Sequence, residues 1–248
     1  MNGPLEGKVA VVTGAARNIG RAIALALVED GACVVVHARS SRQDAQNVVD
    51  EIRDRGGRAC LALAELGDQS QVERLFDDTV AEFGRVDLLV NNAAIRKETP
   101  LGDISYAEWR EVVASILDAS FLCAQAAARR MESEGRIVNI GGMTAHSGAA
   151  GRTHVVAAKA GLVGLTKALA VELAARRITS NLVVPGRIAT NRQESGLVEP
   201  SHHAYHHSPL GFEGSAADVA GMVRYLCGPG GRYVTGQTIH VNGGIYLP

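Results

Sequence analysis

Seven short runs rich in β-branched residues recur along this chain, and stretches with helical spacing separate them. The runs are Val9 to Thr13, Cys33 to Ala38, Ala59 to Ala64, Leu88 to Asn91, Arg136 to Ile140, Thr179 to Val184 and Thr238 to Val241. Strands separated by helices cannot close as hairpins, so they return by crossovers and lie parallel. The expectation is therefore an α/β fold built from βαβ units. No internal repeat or low-complexity linker divides the 248 residues, so 1–248 reads as one domain.

Helix starts are signalled by Ser70 with Glu73 and by Ser105 with Glu108, both at capping-box spacing. The stretch from Ile188 to about Gly214 has no clear periodicity and is expected to form a substrate-side lid, about 188–214. Within it, His202, His203, His206 and His207 surround Tyr205 and would form two i, i+4 pairs if helical. No acidic or cysteine third ligand accompanies them, so no metal site is assigned.

Charge and cysteine usage narrow the partners. Twenty-five Lys plus Arg against 26 Asp plus Glu leave a net charge of -1, so no overall field draws the chain to nucleic acid or membrane. A small-molecule ligand is expected. The first strand starts too soon after Met1 for a secretory apolar core, and no 18-residue apolar stretch is expected to span a membrane, which points to the cytoplasm. Cys33, Cys60, Cys123 and Cys227 are far apart and sit in apolar runs, as reduced core residues do.

The first strand runs into Thr13-Gly14-Ala15-Ala16-Arg17-Asn18-Ile19-Gly20 and then a helix. Such a loop brings backbone amides and a helix N-terminus to a pyrophosphate. Asn18 replaces the middle glycine and tolerates left-handed backbone angles better than most residues. At the end of the second strand, where NAD enzymes place an acid on the ribose, the chain reads His37-Ala38-Arg39-Ser40. Arg39 and Arg17 instead suit a 2′-phosphate, so the expected cofactor is NADP; two solvated surface arginines are the plainer alternative.

The glycine loop, Asn91-Asn92-Ala93-Ala94, Ala157-Ala158-Lys159-Ala160-Gly161, Pro185-Gly186 and the ending Gly236 to Gly244 together resemble the short-chain dehydrogenase/reductase family, in its 3-oxoacyl-carrier-protein reductase-like branch. The resemblance implies a single-domain Rossmann fold with a doubly wound, seven-stranded parallel sheet, helices on both faces and a homotetramer. It also places Gly14, Arg17, Asn18, Ile19, Gly20, Arg39, Glu65, Asn91, Ala93, Lys159, Pro185, Gly186, Ile188 and Thr190 around the nucleotide.

Members of that family reduce a carbonyl with a Tyr four residues before the Lys, a Ser and an upstream Asn. Those positions are Val155, Gly142 and Ile116 here, which leaves Lys159 alone of the four. Losing a positioned acid forfeits roughly 10²- to 10⁴-fold in rate. His146 is the candidate replacement acid–base, and His154 should point away from the Val155–Lys159 face. Arg96, Lys97 and Arg187 are placed to border the pocket, where an anionic ligand would suit them. The resulting expectation is a divergent NADP(H)-dependent oxidoreductase. An NADP(H)-binding sensor without catalysis, or a non-redox enzyme on the same fold, stays open beside it.

Overall fold

In a computed structural model, which describes residues 3–190 and 207–248, the seven strands form one parallel sheet in the order β3-β2-β1-β4-β5-β6-β7. The strands are β1 Val9–Val12, β2 Cys33–Ala38, β3 Ala59–Leu63, β4 Leu88–Asn91, β5 Arg136–Ile140, β6 Thr179–Pro185 and β7 Thr238–Val241. The helices are α1 Asn18–Glu29, α2 Arg42–Asp54, α3 Gln69–Phe83, α4 Tyr106–Val113, α5 Ala119–Arg130, the single turn α6 Thr144–Ser147, α7 Thr153–Glu172 and α8 Ala216–Cys227.

Alternate residues along the central strands feed two cores, because successive strand side chains point to opposite faces. Val12, Val34, Val90 and Val138 pack with Ile23, Leu27, Val48 and Val223 of α1, α2 and α8. Val11, Val35, Leu89 and Ile137 pack with Val72, Phe76, Cys123 and Ala127 of α3 and α5. Near-continuous apolar strands covered on both faces are what a doubly wound parallel sheet requires. Its order reverses between β1 and β4, so the loops after these two strands diverge and open a crevice at their carboxyl ends.

Local chemistry departs from expectation at two helix starts. Asp68, not Ser70, caps α3: its carboxylate accepts from the Ser70 and Gln71 backbone amides, and hydrogen bonds from the Ser70 hydroxyl and the Gln71 side-chain amide, more than those from the backbone, hold its pKa down to about 2. Ser105 does cap α4, but Glu108 turns to Thr99 Oγ1 at 2.7 Å and His154 Nε2 at 3.0 Å instead of completing the box. The full capping box lies at Ser215 and Asp218, opening α8.

The expectation of no long apolar stretch is also corrected. Tyr106–Arg130 and Thr153–Glu172 are apolar and long enough to span a bilayer by length and composition. In the fold, α5 packs against α3, and α7 against β6 and α4. All four cysteines are free thiols, and burial raises the Cys123 and Cys227 thiols to about 12.

Candidate active site in the crevice

The glycine loop is shaped by backbone contacts. Gly14 has φ +62°, and a Cβ there would lie 2.9 Å from Ala93 Cα; one on Gly20 would lie 2.2 Å from Gly14 O. Asn18 adopts φ 50°, the left-handed geometry expected of a residue replacing glycine. Two residues that sequence reasoning passed over lock this loop. Asn92 donates from Nδ2 to Thr13 O at 2.9 Å and Gly14 O at 3.0 Å. His37, 2% exposed, accepts the Gly14 amide on Nδ1 at 3.2 Å and donates from Nε2 to Ala64 O at 3.0 Å. That pairing requires the neutral ring with its proton on Nε2, and burial lowers its pKa in agreement.

Gly14, Arg17, Asn18, Ile19, Arg39, Glu65 and Ala93 line one pocket over the end of the sheet. Arg17 pairs with Asp44 at 2.9 Å and Arg39 with Glu65 at 3.7 Å. All four side chains are about half exposed, so these pairs are weak and either guanidinium can turn to a ligand at small cost. Asn91 does not join them. At the end of β4 its side chain points into the protein, 5% exposed, and donates to Asn139 Oδ1 and Ser120 O. Asn92, one residue on, lines both pockets of the crevice.

The second pocket is lined by Ile19, Gly142, Thr144, Val155, Lys159, Pro185, Gly186, Ile188 and Thr190, with Arg96, Arg152 and Arg187 among its walls. Lys159 lies inside it, 8% exposed, and donates to Ile140 O at 2.5 Å. Burial first, then the neighbouring charges of Arg96 and Arg152, push its pKa down to about 7. The Thr190 hydroxyl is buried with no hydrogen-bond partner.

Gly142 leaves open space beside its Cα, with nothing within 4 Å of where a Cβ would stand. Val155 and Ile116 belong to one apolar cluster with Met143, Ala158, Leu162, Leu182 and Val184. Ile116 sits in a π-helical turn, Ala114–Asp118, inserted between α4 and α5, a distortion common near functional sites. Its side chain is 1% exposed and packs in the cluster that contains the pocket-lining Met143 and Val155, without lining the pocket itself.

Three sequence candidates stand elsewhere. His146 is not among the pocket's lining residues: it lies on α6 against His240 and Tyr246, with ring centroids 4.8 and 5.7 Å away. Contacts from β7 and the C-terminal segment, distant in sequence, draw it there. Lys97 is held by Glu111 at 2.5 Å, outside both pockets. His154 is fully buried and faces Glu108, as its helical phase implied. Arg152, which the sequence did not single out, joins Arg96 and Arg187 on the wall. Most of the stretch at 188–214, including His202, His203, Tyr205 and His206, lies outside the described residues.

Residues 14–246 match the family model described as enoyl-(acyl carrier protein) reductase. The 3-oxoacyl-[acyl-carrier-protein] reductase of Staphylococcus aureus is 39% identical over 242 residues, covering 97% of this chain and 98% of the relative. A crystal structure of a dehydrogenase/reductase from Sinorhizobium meliloti superposes with a TM-score of 0.93 at 37% identity, over 98% of this chain and 96% of that one. A short-chain dehydrogenase from Burkholderia cenocepacia in complex with NADP gives 0.91 at 36%, over 98% and 99%. With a near-full-length match to the family model, to a curated relative and to solved structures, the chain belongs to the short-chain dehydrogenase/reductase family of oxidoreductases.

Proposed function

We propose that the protein is an NADP(H)-dependent oxidoreductase that works without the family's Tyr, Ser and Asn donors, whose positions are Val155, Gly142 and Ile116. The observation that carries this reading is Lys159, buried in the pocket with Val155 one turn before it. The residues present fit the nucleotide. The glycine cradle leaves room for nothing larger than hydrogen at Gly20, and the orphaned Thr190 hydroxyl offers a partner for a carboxamide. Arg17 and Arg39 supply forked donors for a 2′-phosphate. The relative from Burkholderia cenocepacia is itself described in complex with NADP.

When bound, the nicotinamide supplies hydride. Lys159 orients the adjoining ribose, and its Nζ carries the one proton among the described lining residues that titrates near neutrality. A single weakly positioned donor suits substrates whose developing charge is delocalised, such as activated carbon–carbon double bonds, better than simple ketones. His146 takes no part in this reading. A homotetramer is the proposed assembly, in the cytoplasm; only 44% and 33% of the apolar windows on the two long helical stretches is buried within one chain, which leaves faces for partner copies.

The test is NADPH fluorescence titration followed by a ketone and enone panel. Binding with enone turnover supports the proposal. Binding with no turnover on either class replaces it with a nucleotide sensor, and no binding replaces it with non-redox chemistry.

A further inference from the structure

We propose that, with no nucleotide bound, Lys159 is a nucleophilic amine that condenses with small uncharged aldehydes, and that the resulting imine closes the crevice to NADP(H). The inference goes beyond the oxidoreductase reading, because the condensation needs neither hydride nor a bound cofactor.

Three observations carry the assignment. First, Lys159 donates to a backbone carbonyl, Ile140 O, and among the described residues no carboxylate pairs with it. The chain has three other lysines. Lys8 is held by Asp87 at 3.1 Å and Lys97 by Glu111 at 2.5 Å, while Lys167 stands exposed on α7. Second, Lys159 lines a pocket, so its enclosure does not seal it off. Burial penalises its charged form and is the first cause that pushes its pKa down to about 7, which leaves about half of it neutral at pH 7. Third, there is room for a reactant. Gly142 lines the same pocket two residues after Ile140, and nothing stands within 4 Å of its Cβ position. Val155, one turn before the lysine, offers no phenol to engage the amine.

A desolvated lysine without a counter-ion is an activated nucleophile. One N–H of the neutral amine donates to Ile140 O, which leaves the lone pair for an incoming carbon. The Nζ lone pair attacks the aldehyde carbon and the C–N bond forms. The carbonyl oxygen then leaves as water with the two amine hydrogens, and an imine remains; nothing is oxidised or reduced. Ile19, Ile140, Met143, Val155 and Ile188 give the wall an apolar share that suits a short alkyl aldehyde. Because Lys159 and Thr190 line the one pocket, an adduct on the amine fills the space that the proposed nucleotide enters.

The decisive measurement is competitive labelling of the full chain at pH 7 by propanal with sodium cyanoborohydride, which traps each imine as a secondary amine. The four lysines are then ranked by peptide mass spectrometry. Lys159 should label at least tenfold faster than Lys8, Lys97 or Lys167. Its lead should widen as pH falls from 9 to 7, because an ordinary lysine ammonium re-forms at higher pH. Saturating NADP+, with its binding measured separately by calorimetry, should slow Lys159 at least tenfold and spare the other three. Gly142→Val, which fills the open space, should slow Lys159 at least fivefold, and Lys159→Arg should remove the adduct. If Lys159→Arg fails to fold, the Gly142 variant still decides. Labelling of Lys159 no faster than that of the other lysines overturns the proposal, since burial then merely shields the amine. So does NADP+ that binds without protecting Lys159, or a folded Gly142→Val with unchanged labelling. Should NADP+ itself not bind, the oxidoreductase reading falls, and the ranking of the four lysines with the Gly142 variant still settles the role of the amine.

Discussion

A methyl group on Gly20, at the nucleotide end of the crevice, would stand 2.2 Å from Gly14 O and 2.6 Å from Asn92 Nδ2, whereas one on Gly142, at the chemical end, would meet nothing within 4 Å. The first region is closed by backbone packed on backbone. The second is open beside Gly142, where the proposed reading places a missing hydroxyl. Nucleotide recognition of this kind depends on main-chain shape, which a Cβ at Gly20 would disturb. Proton supply depends on single side chains, which one substitution can remove without disturbing the fold.

The strongest way to break this contrast is to refill the chemical end. Val155→Tyr, Gly142→Ser and Ile116→Asn together should raise ketone reduction by roughly 10²- to 10⁴-fold, read as kcat/KM. Gly142→Ser has open room, but Val155 and Ile116 lie in one apolar cluster. The Asn at 116 should therefore cost about 1–3 kcal/mol in denaturant unfolding, as a buried polar group without a ready partner. No gain in a folded triple variant would mean that the crevice no longer presents substrate to these positions.

At the nucleotide end, Gly20→Ala should weaken NADPH by about 100-fold, near 2.7 kcal/mol, in a fluorescence titration. An unchanged affinity would show that the loop yields where the packing says it cannot. Replacing Arg17 and Arg39 with Ala should reduce the preference for NADPH over NADH by about tenfold, or 1.4 kcal/mol. A preference that survives both changes would return these arginines to plain surface residues.

The smallest expected effect is pH-dependent and sharpens the role of His37. Protonating Nδ1 removes the acceptor for the Gly14 amide, so nucleotide affinity should fall as pH drops through the lowered pKa of His37. Because that pKa lies below the unfolded value, the unfolded chain binds its proton first, and stability should also decline once pH falls below about 6.5. His37→Asn should flatten the affinity profile on the acid side while retaining binding at pH 8.

Much of the fold was legible because it is written in local periodicity. The β-branched runs placed all seven strands to within one residue at each end, and the alternation with helices implied the parallel sheet. Asn18 could be read as left-handed and His154 as facing away from Lys159, since both follow from the backbone geometry of a few neighbouring residues. The α3 cap was misplaced by two residues because Asp68 and Ser70 are chemically competent for the same role, and only the path of the chain selects between them.

The site itself divides along the same line. By itself the sequence determined the glycine loop, the retained Lys159 and the identities of Val155, Gly142 and Ile116, because these are positions in motifs. Tertiary structure alone decided which side chains meet in the crevice. It turned Asn91 inward and brought Asn92 to the loop, drew His146 to His240 and Tyr246, removed Lys97 to Glu111, and set Arg152 on the pocket wall with Arg96 and Arg187. Each of these outcomes depends on contacts between elements far apart in the chain, whose free energies are comparable to those of the alternatives, so no local pattern records them.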